Sequence, residues 1–563
     1  MIYHCEDHTC NYWDEGEKLP ERCPQCGRKL LRANEADMTG DDWTALGNTL
    51  WDAEASDKKR MVDCFRKAAY LGSAWGVCNL GICMEQGNGV EADPVQAFWL
   101  YQQAVEMGSL NAVCCLGVCY EYGIGTAPDA KQAAELYCKA AEYGSPRGQM
   151  LLACAFHDGI GVEADAAEAV YWVRAAAYQR YGEGMHRLGV CYEYGDGVEQ
   201  NWERAVHWFR EAAESGVSAA MADLGYCYEK GCGVEQSWEQ AFSWYRRGAE
   251  CGNLRSMHNL GWCYEKGCGV EQSWEQAFSW YRRGAECGDP VSMCNLGLCY
   301  QMGYGVEQNW QEAIKWYEQG AQCGNLQSMH NLACCYEHGE GVEQNMTEAI
   351  RWYTAAAEGG NADDMYELGW QYDHGEGVEQ DMKKAICWYE RAAEQNHPAA
   401  MNSLGECYAM GRGVPRDLET AMEWYRRAAE LGEAMADYNM GWHLEQAGKL
   451  SEAYTHYRKA ADGNDDSAWW ALGRFYENGV VVAQDGKEAR RCYETGEKLG
   501  SVKCKMRLAR CKLLGIGGRR AKKAGLDLCR QALELAKESS EKEDYGYEAE
   551  MNLLRRTIAE NES

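Results

Sequence analysis

A phrase of the form Leu-Gly-x-Cys-Tyr-Glu recurs along this chain at a constant interval of 36 residues. The first residue of each copy is called its anchor here. Eleven anchors follow one another at that interval: Leu80, Leu116, Leu152, Leu188, Leu224, Leu260, Leu296, Leu332, Leu368, Leu404 and Met440. Further copies begin at Leu46, Leu472 and Leu508. A fixed period of this size indicates a stacked array of units, each burying its apolar face only against its neighbours.

Each repeat has the pattern of two helices joined by a glycine turn. In residues 253–288, apolar side chains recur at helical spacing before Gly267, which predicts a first helix that ends there in a left-handed cap. Ser273 is the expected N-cap of a second helix, which buries Tyr281 on its apolar face. Gly261 in the first helix leaves room for the second helix to approach closely. We therefore expect two antiparallel helices in each repeat.

The charge of the chain favours basic partners. It has 56 Lys and Arg against 87 Asp and Glu, which gives a formal net charge of −31. Affinity for nucleic acid depends on neutralising phosphates with Lys and Arg, so nucleic acid is not expected to bind the repeats. An anionic membrane surface is disfavoured for the same reason. Basic proteins or peptides would be attracted, with association that slows as salt is added.

The cysteine content is interpreted through the expected compartment. No stretch of 18 apolar residues is present, so no membrane span is predicted. Residues 1–10 lack both the basic and the apolar region of a signal peptide. The 30 cysteines are therefore expected to be reduced thiols in the cytoplasm.

Two cysteine pairs precede the repeats and predict a tetrahedral zinc site. The expected ligands are Cys5, Cys10, Cys23 and Cys26, and the second pair lies in Cys-Pro-x-Cys-Gly, which resembles a zinc-ribbon or rubredoxin knuckle. Four residues separate the first pair where two are usual, so Cys5 with His8 is an alternative. About 40 residues cannot fold on a hydrophobic core alone, so the zinc is expected to be structural. A rubredoxin-like iron site, or thiols without any metal, would also fit these cysteines.

The repeat itself resembles a known family. Leu-Gly-x-x-Tyr, Gly-x-Gly-Val and Ala-x-x-Trp-Tyr-x-x-Ala-Ala-Glu-x-Gly are similar to the Sel1-like repeat, a relative of the tetratricopeptide repeat. The resemblance implies an all-α fold, a right-handed α-solenoid superhelix of about 13 to 14 helix pairs, and a role as an adaptor in protein complexes. We expect three domains: a zinc ribbon at residues 1–35, the solenoid at 40–535 and a C-terminal capping helix at 536–563.

The resemblance also implies where a partner binds, because the first helices line the groove of tetratricopeptide-like arrays. The groove positions lie two before, two after and five after each anchor. The position two after the anchor carries aromatic residues, and the position five after it carries carboxylates: Tyr226, Trp262, Trp370 and Trp442, and Glu193, Glu229, Glu265 and Glu337. Such a groove suits a peptide with Lys or Arg and apolar anchors. Alternatively, the aromatic residues pack against the next repeat.

The leading hypothesis is a monomeric cytoplasmic scaffold that binds a basic protein or peptide and is not an enzyme. One alternative is a hydrolase like the cysteine-rich, penicillin-binding relatives of this family. Ser56-x-x-Lys59 and Ser539-x-x-Lys542 match one motif of such enzymes, but the partner motifs are missing. A second alternative is a thiol redox sensor that uses the turn cysteines Cys232 and Cys268.

Overall fold

The computed structural model describes residues 2–5, 13–15, 30–33, 38–51, 55–542 and 548–562. These residues form three strands and 29 helices. The chain divides into two compact units, Met1–Ser292 and Met293–Ser563. In the part of the chain that the structure describes, no helix is both long and apolar enough to cross a membrane.

The three strands form a small antiparallel sheet with the order β2-β1-β3. The strands are β1 (Ile2–Cys5), β2 (Trp13–Glu15) and β3 (Leu30–Ala33). His4 is opposite Trp13 and Cys5 is opposite Leu30. The end of β1 therefore lies beside the starts of both other strands.

Of the four predicted zinc ligands, Cys5 ends β1. Cys10, Cys23 and Cys26 lie outside the described residues, as does the alternative ligand His8. Zinc binding and the domain boundary at residue 35 therefore stay predictions.

Fourteen helix pairs follow the sheet. Their first helices are α1 (Gly40–Thr49), α3 (Ala74–Gln86), α5 (Leu110–Tyr122), α7 (Pro146–Asp158), α9 (Gly182–Tyr194), α11 (Ser218–Lys230), α13 (Leu254–Lys266), α15 (Pro290–Met302), α17 (Leu326–His338), α19 (Ala362–His374), α21 (Pro398–Met410), α23 (Ala434–Gln446), α25 (Asp466–Asn478) and α27 (Val502–Leu514). Their second helices are α2 (Ala55–Tyr70), α4 (Pro94–Glu106), α6 (Ala130–Glu142), α8 (Ala166–Tyr178), α10 (Trp202–Glu214), α12 (Trp238–Glu250), α14 (Trp274–Glu286), α16 (Trp310–Gln322), α18 (Met346–Glu358), α20 (Met382–Glu394), α22 (Leu418–Glu430), α24 (Leu450–Asp462), α26 (Gly486–Lys498) and α28 (Lys522–Lys542). A last helix, α29 (Glu548–Glu562), packs against α27 and α28.

The turn chemistry of the repeat has the predicted form. Gly267 caps α13 with a φ of 71°, a left-handed conformation that glycine adopts without strain. The Ser273 side chain accepts a hydrogen bond from the backbone N–H of Gln276 and so caps α14. A Cβ placed on Gly261 would lie 2.5 Å from Cε1 of Tyr281, so only glycine lets this buried ring pack against α13.

The predicted solenoid of helix pairs is confirmed. Every anchor, from Leu46 to Leu508, lies on a first helix, and within each compact unit successive helices pack against one another. The core column of the second helices is mostly tyrosine, with Tyr245 and Tyr281 fully buried. The handedness of the superhelix stays a prediction.

Candidate binding groove

A surface cavity of about 610 Å³ opens between the first helices α9, α11 and α13. It lies within the compact unit Met1–Ser292. Its lining includes His186, Glu193, Asp223, Tyr226, Glu229 and Arg255. Three of the predicted partner-binding residues, Glu193, Tyr226 and Glu229, thus contribute to one cavity. We call it the α9–α13 cavity.

Asp223 links all three helices of the α9–α13 cavity. Its carboxylate lies 2.6 Å from Nε2 of His186 on α9 and 2.5 Å from a guanidinium nitrogen of Arg255 on α13. Burial alone would raise the pKa of Asp223, but the His186 hydrogen bond and the Arg255 charge lower it below its usual value. Asp223 is therefore a paired carboxylate.

Glu229 has two partners on the protein. Its Oε2 accepts a hydrogen bond of 2.8 Å from the buried hydroxyl of Tyr245, and its Oε1 lies 2.7 Å from Nζ of Lys230. Its side chain is 14% exposed. The same tyrosine-to-glutamate hydrogen bond recurs in other repeats, from Tyr281 to Glu265 and from Tyr353 to Glu337. The predicted groove carboxylates with these hydrogen bonds are therefore half-buried, and they help to hold the core tyrosines.

Glu193 differs from the other carboxylates of this column. The second-helix position that carries Tyr245 two helices later is Phe209 here, which has no hydroxyl to donate. Burial raises the pKa of Glu193, and the negative charge of Asp223 raises it further, whereas the Arg255 charge and a hydrogen bond with Tyr194 oppose the rise. Among the described residues Glu193 forms no salt bridge. Among the carboxylates of the α9–α13 cavity, Glu193 would be stabilised most by pairing with an incoming cation.

The predicted aromatic residues divide into exposed and packed ones. Tyr226 is 38% exposed and Trp442 is 44% exposed. Trp262 is half-buried, with its ring 5.6 Å from that of Trp238 on the preceding helix. Trp370 is half-buried and stacks on a histidine of its own helix. Tyr226 and Trp442 thus keep the most surface for a partner, whereas Trp262 and Trp370 also pack within the solenoid.

The structure does not bring all predicted residues together. Trp262 and Glu265 follow on α13, whereas Glu337, Trp370 and Trp442 belong to the other compact unit.

The remaining charged residues of the α9–α13 cavity were not predicted. His186 stands two before its anchor, so the groove register could have identified it. Asp223 and Arg255 stand one and five before theirs, and only the structure shows that they face the cavity.

Twelve consecutive segments of the chain match the family model described as the Sel1 repeat. They are residues 76–109, 112–145, 146–181, 182–217, 218–253, 254–289, 290–325, 326–361, 362–397, 398–433, 434–465 and 468–501. Each segment holds one helix pair, and the first and last of the fourteen pairs lie outside the matches. No curated protein is similar enough in sequence to count as a relative.

Solved structures that resemble this chain include two with Sel1-type repeats. One is c5321, a protective antigen present in uropathogenic Escherichia coli strains and displaying an SLR fold. It is 29% identical, with a TM-score of 0.54, and the match covers 86% of this chain and 97% of that one. The other is a Sel1 repeat protein from Oxalobacter formigenes, 31% identical, with a TM-score of 0.40 and coverage of 43% and 96%. Because the matched segments run from residue 76 to residue 501, this chain belongs to the Sel1 repeat family.

Proposed function

We propose that this protein is a scaffold without catalytic activity, which binds a basic peptide or protein segment along its first helices. The proposal takes the protein to act as a monomer in the cytoplasm. The observation that supports it best is the α9–α13 cavity, which combines the exposed ring of Tyr226 with the carboxylate of Glu193, which has no salt bridge within the described part of the chain. A Lys or Arg of the partner would pair with Glu193, and a neighbouring apolar side chain would cover Tyr226.

The charges around the cavity make this binding favourable in two ways. Lys230 and Arg255 are 51% and 55% exposed at the side chain, so both can swing into solvent as a partner enters. The net charge of −31 attracts basic partners over distances of about one Debye length, near 10 Å at moderate salt. Charge is thus expected to govern association, and the aromatic contact to govern dissociation.

Defined peptides can test the proposal. One set alternates Lys or Arg with Leu, and a matched set has Glu in place of each basic residue. The basic set is expected to bind, with affinity that falls as salt increases. Glu193→Gln should slow association and weaken the salt dependence, whereas Tyr226→Ala should speed dissociation and cost about 1–2 kcal/mol of binding free energy. Fluorescence anisotropy and stopped-flow mixing measure these quantities.

Two comparisons keep the test specific. Glu203→Gln removes one exposed charge from the second helix α10 and should leave both rates near wild type. Equal binding of the Glu and Lys peptides would contradict the proposal. Should Tyr226→Ala and Trp442→Ala lower the melting temperature without changing binding, these aromatic residues would belong to the packing of the repeats.

Catalysis is the rival class, and it can be tested directly. Purified protein is expected to leave nitrocefin intact over hours at micromolar concentration. Hydrolysis above the buffer rate, lost on Ser56→Ala or Ser539→Ala, would favour the penicillin-binding alternative.

We also propose a structural zinc ion at the N-terminus, held by Cys5, Cys10, Cys23 and Cys26. The sheet supports this, because the end of β1 at Cys5 lies beside the starts of β2 and β3. Cys10 precedes Trp13 by three residues and Cys26 precedes Leu30 by four. Four thiolates, two of them a few residues from these strands in the sequence, would form a closed tetrahedral site that ties the small sheet together.

Elemental analysis of the full chain tests the zinc proposal. We expect one zinc per chain, lost when Cys23 and Cys26 are both replaced by serine. Replacing the exposed Cys251 and Cys287 by serine is the matched control and should leave the zinc in place. Stoichiometric zinc after the Cys23 and Cys26 replacement would show that these residues are not ligands.

A further inference from the structure

A cysteine, a histidine and an aspartate are linked by side-chain contacts on two successive first helices. On α17, the sulfur of Cys334 lies 3.5 Å from Nε2 of His330. The other ring nitrogen of His330, Nδ1, lies 2.7 Å from Oδ1 of Asp364 on α19. A cysteine, a histidine and an orienting carboxylate in this order form an arrangement that activates a nucleophilic side chain. All three residues belong to the compact unit Met293–Ser563.

The charge of this group is set by Asp364. Its side chain is fully buried, and within the described residues its second oxygen, Oδ2, has no hydrogen-bond partner. A buried carboxylate needs a compensating cation, and among the described residues His330 is the one that pairs with it. The Asp364 hydrogen bond and then the Cys334 contact raise the pKa of His330 to about 10. Burial raises the pKa of Asp364, and the His330 hydrogen bond and charge oppose that rise. With the carboxylate charged, the ring is an imidazolium whose Nε2 faces the sulfur.

Other groups around His330 do not supply that cation. Glu367 on α19 and Glu337 on α17 are acidic, and Tyr353 on α18 donates its hydroxyl proton to Glu337 at 2.6 Å. The Tyr353 oxygen also lies 3.3 Å from the Cys334 sulfur. Among the described residues, the Cys334 sulfur thus contacts one cationic group, the imidazolium, and one oxygen, the Tyr353 hydroxyl. A cationic donor beside a cysteine stabilises the thiolate, which is the reactive form.

We propose that Cys334 is a nucleophilic thiol, activated by His330 and Asp364, that forms mixed disulfides with uncharged or cationic disulfide compounds. This site does not depend on the partner binding proposed above. Cys334 and His330 are both partly exposed, so a small molecule can reach them. In the sequence, His330 and Cys334 stand four residues apart on one helix, whereas Asp364 belongs to the next repeat.

The surroundings favour disulfide exchange over acyl transfer. Acyl transfer creates an oxyanion that needs hydrogen-bond donors, whereas the groups near Cys334 are carboxylates and a hydroxyl already bonded to one. In disulfide exchange the negative charge stays on sulfur. The acidic residues Glu337 and Glu367, with the net charge of −31, would repel anionic disulfides and admit uncharged or cationic ones.

The proposed step balances in atoms and electrons. The Cys334 thiolate attacks one sulfur of R–S–S–R, a new S–S bond forms, and the old S–S bond breaks. The electron pair of the old S–S bond goes to the second sulfur. That sulfur takes the Nε2 proton of His330 and departs as R–SH. The Cys334 sulfur is oxidised and the leaving sulfur is reduced, so no further oxidant is needed. His330 then regains a proton from water.

The chain provides matched comparisons for this site. His186 and His258 occupy the position of His330 in earlier repeats, but the residues four positions later are Val190 and Trp262. Within α17, Cys335 is buried next to Cys334, and burial raises its pKa to about 12. Cys387 on α20 is exposed and serves as the reference for an accessible cysteine.

The test treats the full-length protein at neutral pH with cystamine, a cationic disulfide, or with oxidised glutathione, an anionic one. Mass spectrometry of peptides follows the mixed disulfide at each cysteine over time. We expect Cys334 to react at least about tenfold faster than Cys387, and Cys335 to react slowest. The ratio of the cystamine rate to the oxidised glutathione rate should be higher at Cys334 than at Cys387.

The decisive variant replaces His330 by Gln and Asp364 by Asn together, so that no buried charge is left unpaired. It should lower the Cys334 rate to that of Cys387, with the circular dichroism spectrum unchanged. A Cys334 rate in wild type no higher than that of Cys387, or a fast rate that persists in the double variant, would overturn the proposal. Should the double variant fail to fold, the wild-type comparison with Cys387 still decides.

Discussion

The first-helix face of this solenoid is open in one region and covered in another. Between α9, α11 and α13 it forms the α9–α13 cavity, where Lys230 and Arg255 have half-exposed side chains. Over α25 and α27 the chain's own helix α29 lies on the equivalent face. There Glu550 makes two contacts of 2.7 Å with Arg507 and accepts a hydrogen bond of 3.3 Å from Trp470.

The two regions use the same repeat positions for different purposes. Arg507 stands one before its anchor, like Asp223, and Glu477 stands five after its anchor, like Glu229. In the covered region the side chains of Arg507 and Glu477 are 14% and 9% exposed and form one network. In the open region the cations Lys230 and Arg255 are 51% and 55% exposed, whereas their carboxylate partners Glu229 and Asp223 are 14% and 15% exposed. The groove cations are thus structural where a helix covers them and free to move aside for a partner where none does.

The largest effect is expected from breaking the covered network. Glu550→Ala leaves Arg507 buried with Glu477 as its remaining carboxylate, at a cost of about 3 kcal/mol to the stability of the last repeats. Solenoids unfold locally, so hydrogen exchange in α25, α27 and α29 is the appropriate measurement. Glu548→Ala removes an exposed carboxylate from the same helix and should cost little. Equal exchange in both variants would mean that α29 contributes little to stability.

The second effect concerns the hydroxyl that joins core and groove. Tyr245→Phe removes the hydrogen bond to Glu229 and should cost about 1.5 kcal/mol, as is usual for a hydrogen bond to a charged group. Phenylalanine fits this position, since Phe209 occupies it in an earlier repeat. The reverse change, Phe209→Tyr, should be neutral or stabilising because Glu193 can accept the new hydroxyl. Hydrogen exchange in α10 to α13 would measure the effect of each variant. Destabilisation by both variants would mean that ring packing, and not the hydroxyl hydrogen bond, determines the stability at this position.

Much of the fold was predictable because each repeat is a local unit. Gly261, Gly267 and Ser273 act within one helix pair, so their spacing alone predicts cap and close approach. Contacts between repeats are harder to predict from the sequence, because pairs such as Asp223 and Arg255 depend on how successive helices stack. The docking of α29 breaks the period altogether, since Glu550 reaches Trp470 across 80 residues.

The third prediction compares an open ion pair with the covered one. Arg255→Gln removes a contact of 2.5 Å to Asp223, but Arg255 is half-exposed and His186 still faces the carboxylate. The cost should be about 0.5–1 kcal/mol, well below that of Glu550→Ala. Urea unfolding at low and high salt measures it, and most of the effect should vanish at high salt. A salt-independent cost above that of Glu550→Ala would reverse the distinction between the regions.

The smallest effect concerns the protonation of the α9–α13 cavity, where two neighbouring carboxylates respond to acid in opposite ways. The folded-state pKa of Asp223 is lowered, so its stabilisation is present at neutral pH and is lost as the pH falls below the unfolded value toward the folded one. The pKa of Glu193 is raised by burial, so the folded state gains stability as the pH falls through that raised value toward 4.5. Glu193→Gln should therefore abolish a small gain on mild acidification, within about 0.5 kcal/mol because the group is partly hydrated. Carboxyl-carbon NMR is expected to show Glu193 titrating at a higher pH than Asp223. The reverse order would mean that a cation already neutralises Glu193, and the cavity would then have no free carboxylate for a basic partner.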